Sequence, residues 1–250
     1  MISDGSFRLD GKLALVTGAS RGIGYFLAKD LAARGANVIA GTRRVGGLEE
    51  LDDEIKAAGG TATLVPLDLT DMPAIDRLGG SIHERWGRLD ILVANAGILG
   101  TISPIGHVEA KVFDKLMNIN VTGVWRLIRS TDPLLKLSEA GRAVLLSSGV
   151  APPARAYWGP YAASKAAVEV MGRSWAEEAR QTKLRINSVN PGATRTAMRA
   201  QAVPGEDPDT LPTAAEVAAK IALILDPRID ATGKLYDVRA GKLLGYNDPS

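Results

Sequence analysis

Short apolar runs alternate with longer stretches of helical spacing along almost the whole chain, and few folds accommodate that rhythm. Residues 12–17, 38–40, 63–67, 89–94, 143–146, 184–189 and 234–238 read as strands, each brief, apolar and bounded by turn residues. Between them, Ile23, Leu27 and Leu31 mark a helix ending near Arg34, and Leu48, Leu51 and Ile55 mark another ending at Gly59-Gly60. Further helices are expected over 71–86, in a long stretch reaching about Leu137, from Tyr161 to about Gln181, and over 213–225. Strands that alternate with helices are joined by right-handed crossovers, which gives a parallel sheet with helices on both faces. No linker divides the chain, so the expectation is one α/β domain over 1–250, a doubly wound parallel sheet. Its ligand belongs at the carboxyl ends of the strands, near the point where strand order reverses.

Two segments depart from the rhythm. Residues 1–10 read as a short leader. Residues 192–212, rich in Ala, Thr, Pro and Gly, form an irregular stretch long enough to be functional, and we read it as a substrate lid.

Composition removes several classes of function. With 250 residues the chain has ample material for a core, and with no cysteine it has neither disulfides nor thiolate chemistry. His83 and His107 are far apart and match no metal spacing, so no metal is expected. The net charge is +2 and the arginines are scattered, which argues against nucleic acid as a partner. No apolar run approaches membrane-spanning length, and Met1-Ile2-Ser3-Asp4 does not open a signal peptide, so a cytoplasmic protein is expected.

Two motifs carry chemistry. The run at 12–17 feeds Gly18-Ala19-Ser20-Arg21-Gly22-Ile23-Gly24 and then a helix. In that context missing side chains let backbone N–H groups and a helix N-terminus approach a pyrophosphate. The spacing is GxxxGxG rather than the usual dinucleotide GxGxxG. Near the start of a later helix, Tyr161 and Lys165 stand one turn apart on one face. A phenol of pKa about 10 is a poor acid or base at neutral pH, and an adjacent ammonium lowers that value. Alone, such a pair is a common coincidence.

Together the motifs resemble the short-chain dehydrogenase/reductase family in its single-domain, Rossmann-fold form, over essentially the whole chain. Thr17 to Gly24 is similar to the family's TGxxxGxG cofactor turn, and Asn95-Ala96-Gly97 to its NAG motif after the fourth strand. Ser148 precedes Tyr161 by the family's thirteen residues, Asn120 in Asn120-Val121-Thr122-Gly123 matches its helix asparagine, and Pro191-Gly192 with Thr196 matches the segment meeting the nicotinamide. Within the family, residues 190–212 resemble a bacterial YciK-like group of oxidoreductases. Departures are Ala94 where the family often has Asn, and Asp237-Val238-Arg239-Ala240-Gly241 in place of Asp-Gly-Gly.

The resemblance implies a hydride transfer between NADP(H) and a carbonyl or secondary alcohol. Tyr161 would exchange a proton with the substrate oxygen and Ser148 would polarise that oxygen. Lys165 would depress the tyrosine's pKa and hold the nicotinamide ribose. Asn120 would bend the long helix and link Lys165 to solvent through water. Asn95 reads as a structural clamp beside the cofactor. Asp68-Leu69 matches the adenine contact, with a turn role for Asp68 as the alternative. NAD enzymes of this fold carry an acidic residue at the end of the second strand. Thr42, Arg43 and Arg44 stand there instead. Arg43, with Arg21 across the turn, suits a 2′-phosphate, which favours NADP(H) over NAD(H). Family members form dimers or tetramers, so a homo-oligomer, with a tetramer favoured, is expected. The stripe Val121, Val124, Trp125 and Ile128 is either core or part of that interface. Leu99, Gly149, Val150, Trp158 and Met198 would line an apolar substrate pocket. Arg155, Arg195 and Arg199 would either meet an anionic substrate tail or remain solvated. The competing readings are a nucleotide-binding sensor or scaffold without turnover, and an epimerase or dehydratase of the same fold.

Overall fold

The computed structural model describes residues 3–43, 45–151, 153 and 155–246, so Arg44 lies outside the described residues. Strand β1 (Leu13–Thr17) is wholly buried and pairs in parallel with both β2 (Asn37–Thr42) and β4 (Ile91–Ala94). With β3 (Thr61–Pro66), β5 (Arg142–Leu146), β6 (Arg185–Asn190), β7 (Leu235–Asp237) and β8 (Lys242–Leu244) the sheet order is 3-2-1-4-5-6-7-8. Only β8 is antiparallel among the described strands, hydrogen-bonded to β7. The order reverses between β1 and β4, and the crevice there opens at the carboxyl ends of both.

Alternation along the strands splits the core in two. Ala14, Val16, Val38, Ala40 and Val93 face a layer with α1 (Gly22–Ala33), α2 (Leu48–Ala57) and α8 (Ala214–Ala222). Leu13, Leu15, Ile39, Leu92 and Leu145 face α3 (Met72–Trp86), α5 (Gly123–Lys136) and α6 (Gly159–Glu178). Each buried Val, Leu or Ile among them contributes about 1.5–3 kcal/mol by leaving water. Helix boundaries follow local chemistry. Asp71 Oδ1 accepts from the Ala74 amide at the start of α3, and Gly87 ends it at φ +74°. Thr213 and Glu216 form a capping box on α8.

Three expectations are corrected. The long helix ending near Leu137 is not continuous: α4 (Ala110–Met117) and α5 are separated by a π-helical turn, Asn118–Thr122. The apolar stripe divides within α5, with Val124 in the core and Trp125 44% exposed. The strand at 234–238 is not the last, because β8 follows it. The 192–212 stretch is not structureless: Thr196 caps a short helix α7 (Ala197–Ala202), and a 3₁₀ turn spans Pro208–Thr210. Among the described residues no helix is long and apolar enough to cross a membrane.

Candidate active site

A cleft of about 710 Å³ opens at the carboxyl ends of the central strands. Gly18, Ser20, Arg21, Gly22, Ile23, Thr42, Arg43, Asp68, Leu69, Asn95, Ala96, Gly97, Tyr161, Lys165, Pro191 and Thr196 all line it. Its upper wall comes from Leu146, Ser147 and Met198. Gly24, Gly192, Asn120 and Ser148 are not among the residues that line the cleft.

The glycine turn is built around close approach. Gly18 has φ +68°, and a Cβ there would stand 2.9 Å from Asn95 Nδ2. A Cβ on Gly24 would overlap both Asn95 Nδ2 and the Gly18 carbonyl oxygen. Asn95 is the clamp that needs this space. Its Nδ2 donates to the Thr17 carbonyl at 2.9 Å, and its backbone amide donates to Thr17 Oγ1 at 3.1 Å. The turn is therefore tied to the end of β4. Thr42 Oγ1 donates to Ser20 Oγ at 3.1 Å and ties it to β2 as well. These constraints leave the α1 N-terminus open to the cleft, the arrangement that receives a pyrophosphate.

At the end of the cleft beside β2 and β3, Asp68 Oδ1 accepts from the Thr70 amide and hydroxyl, at 2.9 and 2.8 Å. These bonds to Thr70, with smaller help from the Arg43 charge, hold the Asp68 carboxyl below its usual range. Asp68 is thus a turn residue and a wall of the cleft at once. Exposed Arg43 and Arg21 both reach the cleft, and the described part of the strand end carries no carboxylate.

At the other end, Tyr161 is 8% exposed and Lys165 6%. The expected lowering of the phenol by Lys165 does not hold. Burial pushes Tyr161 up to about 12, opposed by a hydrogen bond with the Ser148 side chain. The ammonium sits 5.8 Å from the tyrosine ring centroid and donates instead to the Leu146 carbonyl at 2.7 Å. Burial brings Lys165 down to about 8. Asn120, 1% exposed, sits in the π turn, as its expected role in bending the helix requires. Its Oδ1 accepts from the Ile98 amide, and its Nδ2 donates to the Ile98 carbonyl, both at 2.9 Å. Nδ2 also donates to Ser164 Oγ at 3.1 Å, and among the described residues Asn120 makes no direct bond to Lys165. It pins the loop after β4 to α6.

The surroundings of Tyr161 are apolar. Leu99, Leu116, Val150, Tyr161 and Ala162 form one buried cluster, with Trp158 packed on it. The Trp158 and Tyr161 rings meet edge-on at 6.1 Å. Met198 Sδ lies 4.0 Å from the Tyr161 hydroxyl. Of the three arginines considered, Arg199 is held by both oxygens of Glu206 at 2.6 Å, and Arg195 pairs with Asp209 at 3.1 Å. Arg155 is exposed. His83 and His107 are both exposed, and no metal-binding cluster occurs among the described residues.

The buried Lys165 ammonium costs stability. The drop from 10.5 to about 8 corresponds to about 3 kcal/mol, of which its hydrogen bond returns about 1. Lys165→Met is therefore expected to raise the unfolding free energy at neutral pH by about 2 kcal/mol, with loss of activity. The lysine penalty is full below pH 8 and is relieved as pH rises from about 8 to 10.5, because only the unfolded chain then binds the proton. Urea melts near neutrality and near pH 10 check this: the advantage of the variant shrinks at the higher pH. A variant less stable at both would remove the argument.

Residues 12–207 match the family model for short chain dehydrogenases. The chain is 38% identical over 243 residues to the oxidoreductase YciK of Escherichia coli strain K12, covering 96% of each. Among solved structures, a short chain dehydrogenase from Shigella flexneri, complexed with NADP, superposes with a TM-score of 0.87 at 39% identity, covering 92% of this chain and 98% of that one. One from Escherichia coli CFT073, complexed with NADPH, superposes with a TM-score of 0.85 at 38% identity and the same coverage.

Proposed function

Because this chain belongs to the short-chain dehydrogenase family and is an oxidoreductase of that family, we propose that it transfers a hydride between NADP(H) and an uncharged carbonyl or secondary alcohol, with Tyr161 as the acid/base. The observation that carries this reading is the shared cleft: the glycine turn with Arg43 at one end, and Tyr161 with Lys165 at the other.

The residues fit the cofactor, since Gly18 and Gly24 let the turn pack flush against Asn95 and its own backbone, which leaves its amides and the α1 N-terminus beside the cleft. The turn and the α1 N-terminus would hold the phosphates, Arg43 and Arg21 the 2′-phosphate, and Lys165 the nicotinamide ribose. When bound, the nicotinamide supplies or accepts the hydride. The protein handles the proton. A phenol held at about 12 is protonated at neutral pH, the form that donates to a carbonyl oxygen during reduction. The Ser148 hydroxyl polarises the same oxygen and steadies the phenol. Segment 192–212 acts as a lid: Met198 presents its thioether to the Tyr161 hydroxyl, and the Arg199–Glu206 and Arg195–Asp209 pairs neutralise its cations. That combination supports an apolar, uncharged substrate.

Titrating NADPH and NADH against wild type and Arg43→Ala tests the cofactor. Wild type is expected to prefer NADPH, and the variant to lose roughly ten- to a hundredfold of NADPH affinity with NADH unchanged. NADH binding as tightly as NADPH to wild type would refute the phosphate assignment. A panel of uncharged aliphatic, alicyclic and aromatic ketones, followed by NADPH absorbance, tests the chemistry. Consumption of none of them would count against turnover on carbonyls.

A further inference from the structure

One buried carboxylate near the site has no role in the chemistry above. Glu169 lies on α6 one turn beyond Lys165 and is 5% exposed. An ionisable group so deeply buried is retained at a cost, and burial does raise this carboxyl above its ordinary range, against the opposing hydrogen bond from Ser147 and the charge of Arg173. Its partner is specific: the Ser147 hydroxyl donates to Glu169 Oε1. The Ser147 amide is engaged separately, donating to the Val189 carbonyl on β6 at 2.7 Å.

Ser147 lies between two residues of the active site. Before it is Leu146, whose carbonyl accepts from Lys165 Nζ. After it is Ser148, whose side chain meets the Tyr161 phenol. Two side chains one turn apart on α6 therefore grip successive residues where the chain leaves β5. The helix can come this close because it carries Gly172, where a Cβ would stand 2.9 Å from Leu145 Cδ1. On the far side the carboxylate meets the segment just after β8. The Tyr246 phenol faces it, held up at about 12 by burial and the Glu169 charge, and the Tyr246 ring lies 4.3 Å from the Arg173 guanidinium.

We propose that Glu169 is a positioning residue for the proton-transfer site: by holding Ser147 it fixes the Ser148 hydroxyl against Tyr161, while Lys165 fixes the preceding residue. This rests on the reading of Ser148 and Tyr161 given above. A residue that acts only through placement is expected to change kcat without changing cofactor affinity, and a neutral acceptor of the same shape should replace it.

The test is steady-state kinetics of the full chain with NADPH and the panel ketone turned over fastest, for Ser147→Ala, Glu169→Ala, Glu169→Gln and Ser148→Ala. Ser147→Ala and Glu169→Ala are expected to lose roughly ten- to a hundredfold in kcat, the scale of a small misplacement, with NADPH affinity unchanged. The double variant should be no slower than the slower single, because both remove one hydrogen bond. Glu169→Gln should keep most of the activity, since its amide oxygen still accepts from Ser147. Wild-type kcat in Ser147→Ala overturns the proposal even where Glu169→Ala fails to fold, and Glu169→Gln as slow as a folded Glu169→Ala overturns it too. Full activity in Ser148→Ala, or no turnover of any ketone by wild type, removes the site reading and this proposal with it. A slow Ser148→Ala beside a fast Ser147→Ala removes the proposal alone.

Discussion

Tyr161→Phe is expected to lower kcat by roughly 10²–10⁴-fold, the range that a positioned proton donor contributes, while NADPH binds as it does to wild type. The substitution removes one oxygen and leaves the ring. The edge-on contact with Trp158 and the packing on Leu99, Leu116 and Val150 therefore survive. Stability should not fall, because the hydroxyl removed is buried and pays for desolvation with only a Ser148 hydrogen bond and a long contact to Met198. Lys165 remains bonded to the Leu146 carbonyl, so the ribose end of the cleft keeps its shape. Loss of turnover with unchanged NADPH affinity and unchanged melting is thus the signature of a missing proton. A Tyr161→Phe variant with wild-type kcat would remove Tyr161 as the acid/base. One that no longer binds NADPH would show that the hydroxyl matters for the cofactor instead.

Much of this was readable from residues alone, for reasons that differ from element to element. The central strands declare themselves because both faces are covered, so 13–17 and 91–94 are apolar without alternation. Helix α3 begins where Asp71 can cap it and stops at Gly87, both local signals. The glycine turn was legible because only glycine fits the close approaches at positions 18 and 24. What was missed depends on partners distant in sequence. The resemblance placed a bend at Asn120, but its form, a π-helical turn over 118–122 that separates two helices, accompanies the bonds of Asn120 to Ile98 and Ser164 and is not written in the local residues. Strand β8 is three residues long and exists through its pairing with β7. The Tyr161 phenol moves up rather than down because burial outweighs an ammonium whose proton goes to a carbonyl. Spacing reports that two groups are near and says nothing of which acceptor one of them chooses. Glu169 did leave a signal: it is a carboxylate on the inward stripe of α6, where Tyr161, Lys165, Val168 and Gly172 are also buried.

Gly24→Ala is expected to cost both stability and cofactor, although it adds only one methyl. That methyl would overlap Asn95 Nδ2 and the Gly18 carbonyl oxygen, and neither can yield freely. Asn95 is held by its bond to the Thr17 carbonyl, and Gly18 donates its own amide to the Gly41 carbonyl at 2.7 Å. Either the clamp between the turn and β4 breaks, or α1 moves away from the turn. Overpacking of this kind costs about 1–3 kcal/mol, which for a chain of this size lowers Tm by roughly 2–12 °C. Both routes displace the helix N-terminus from the amides it works with, so NADPH affinity falls by roughly ten- to a hundredfold if the same free energy is lost from the bound geometry. Gly80→Ala is the control for glycine replacement as such. It lies in α3, a Cβ there meets nothing within 4 Å, and it should stabilise by about 0.5–1 kcal/mol. Thermal melts and NADPH titration of the two variants decide the matter. If Gly24→Ala binds NADPH like wild type, the turn has slack and its close packing is not what selects glycine. If it melts normally yet loses NADPH, helix displacement is the cause and the Asn95 clamp has held.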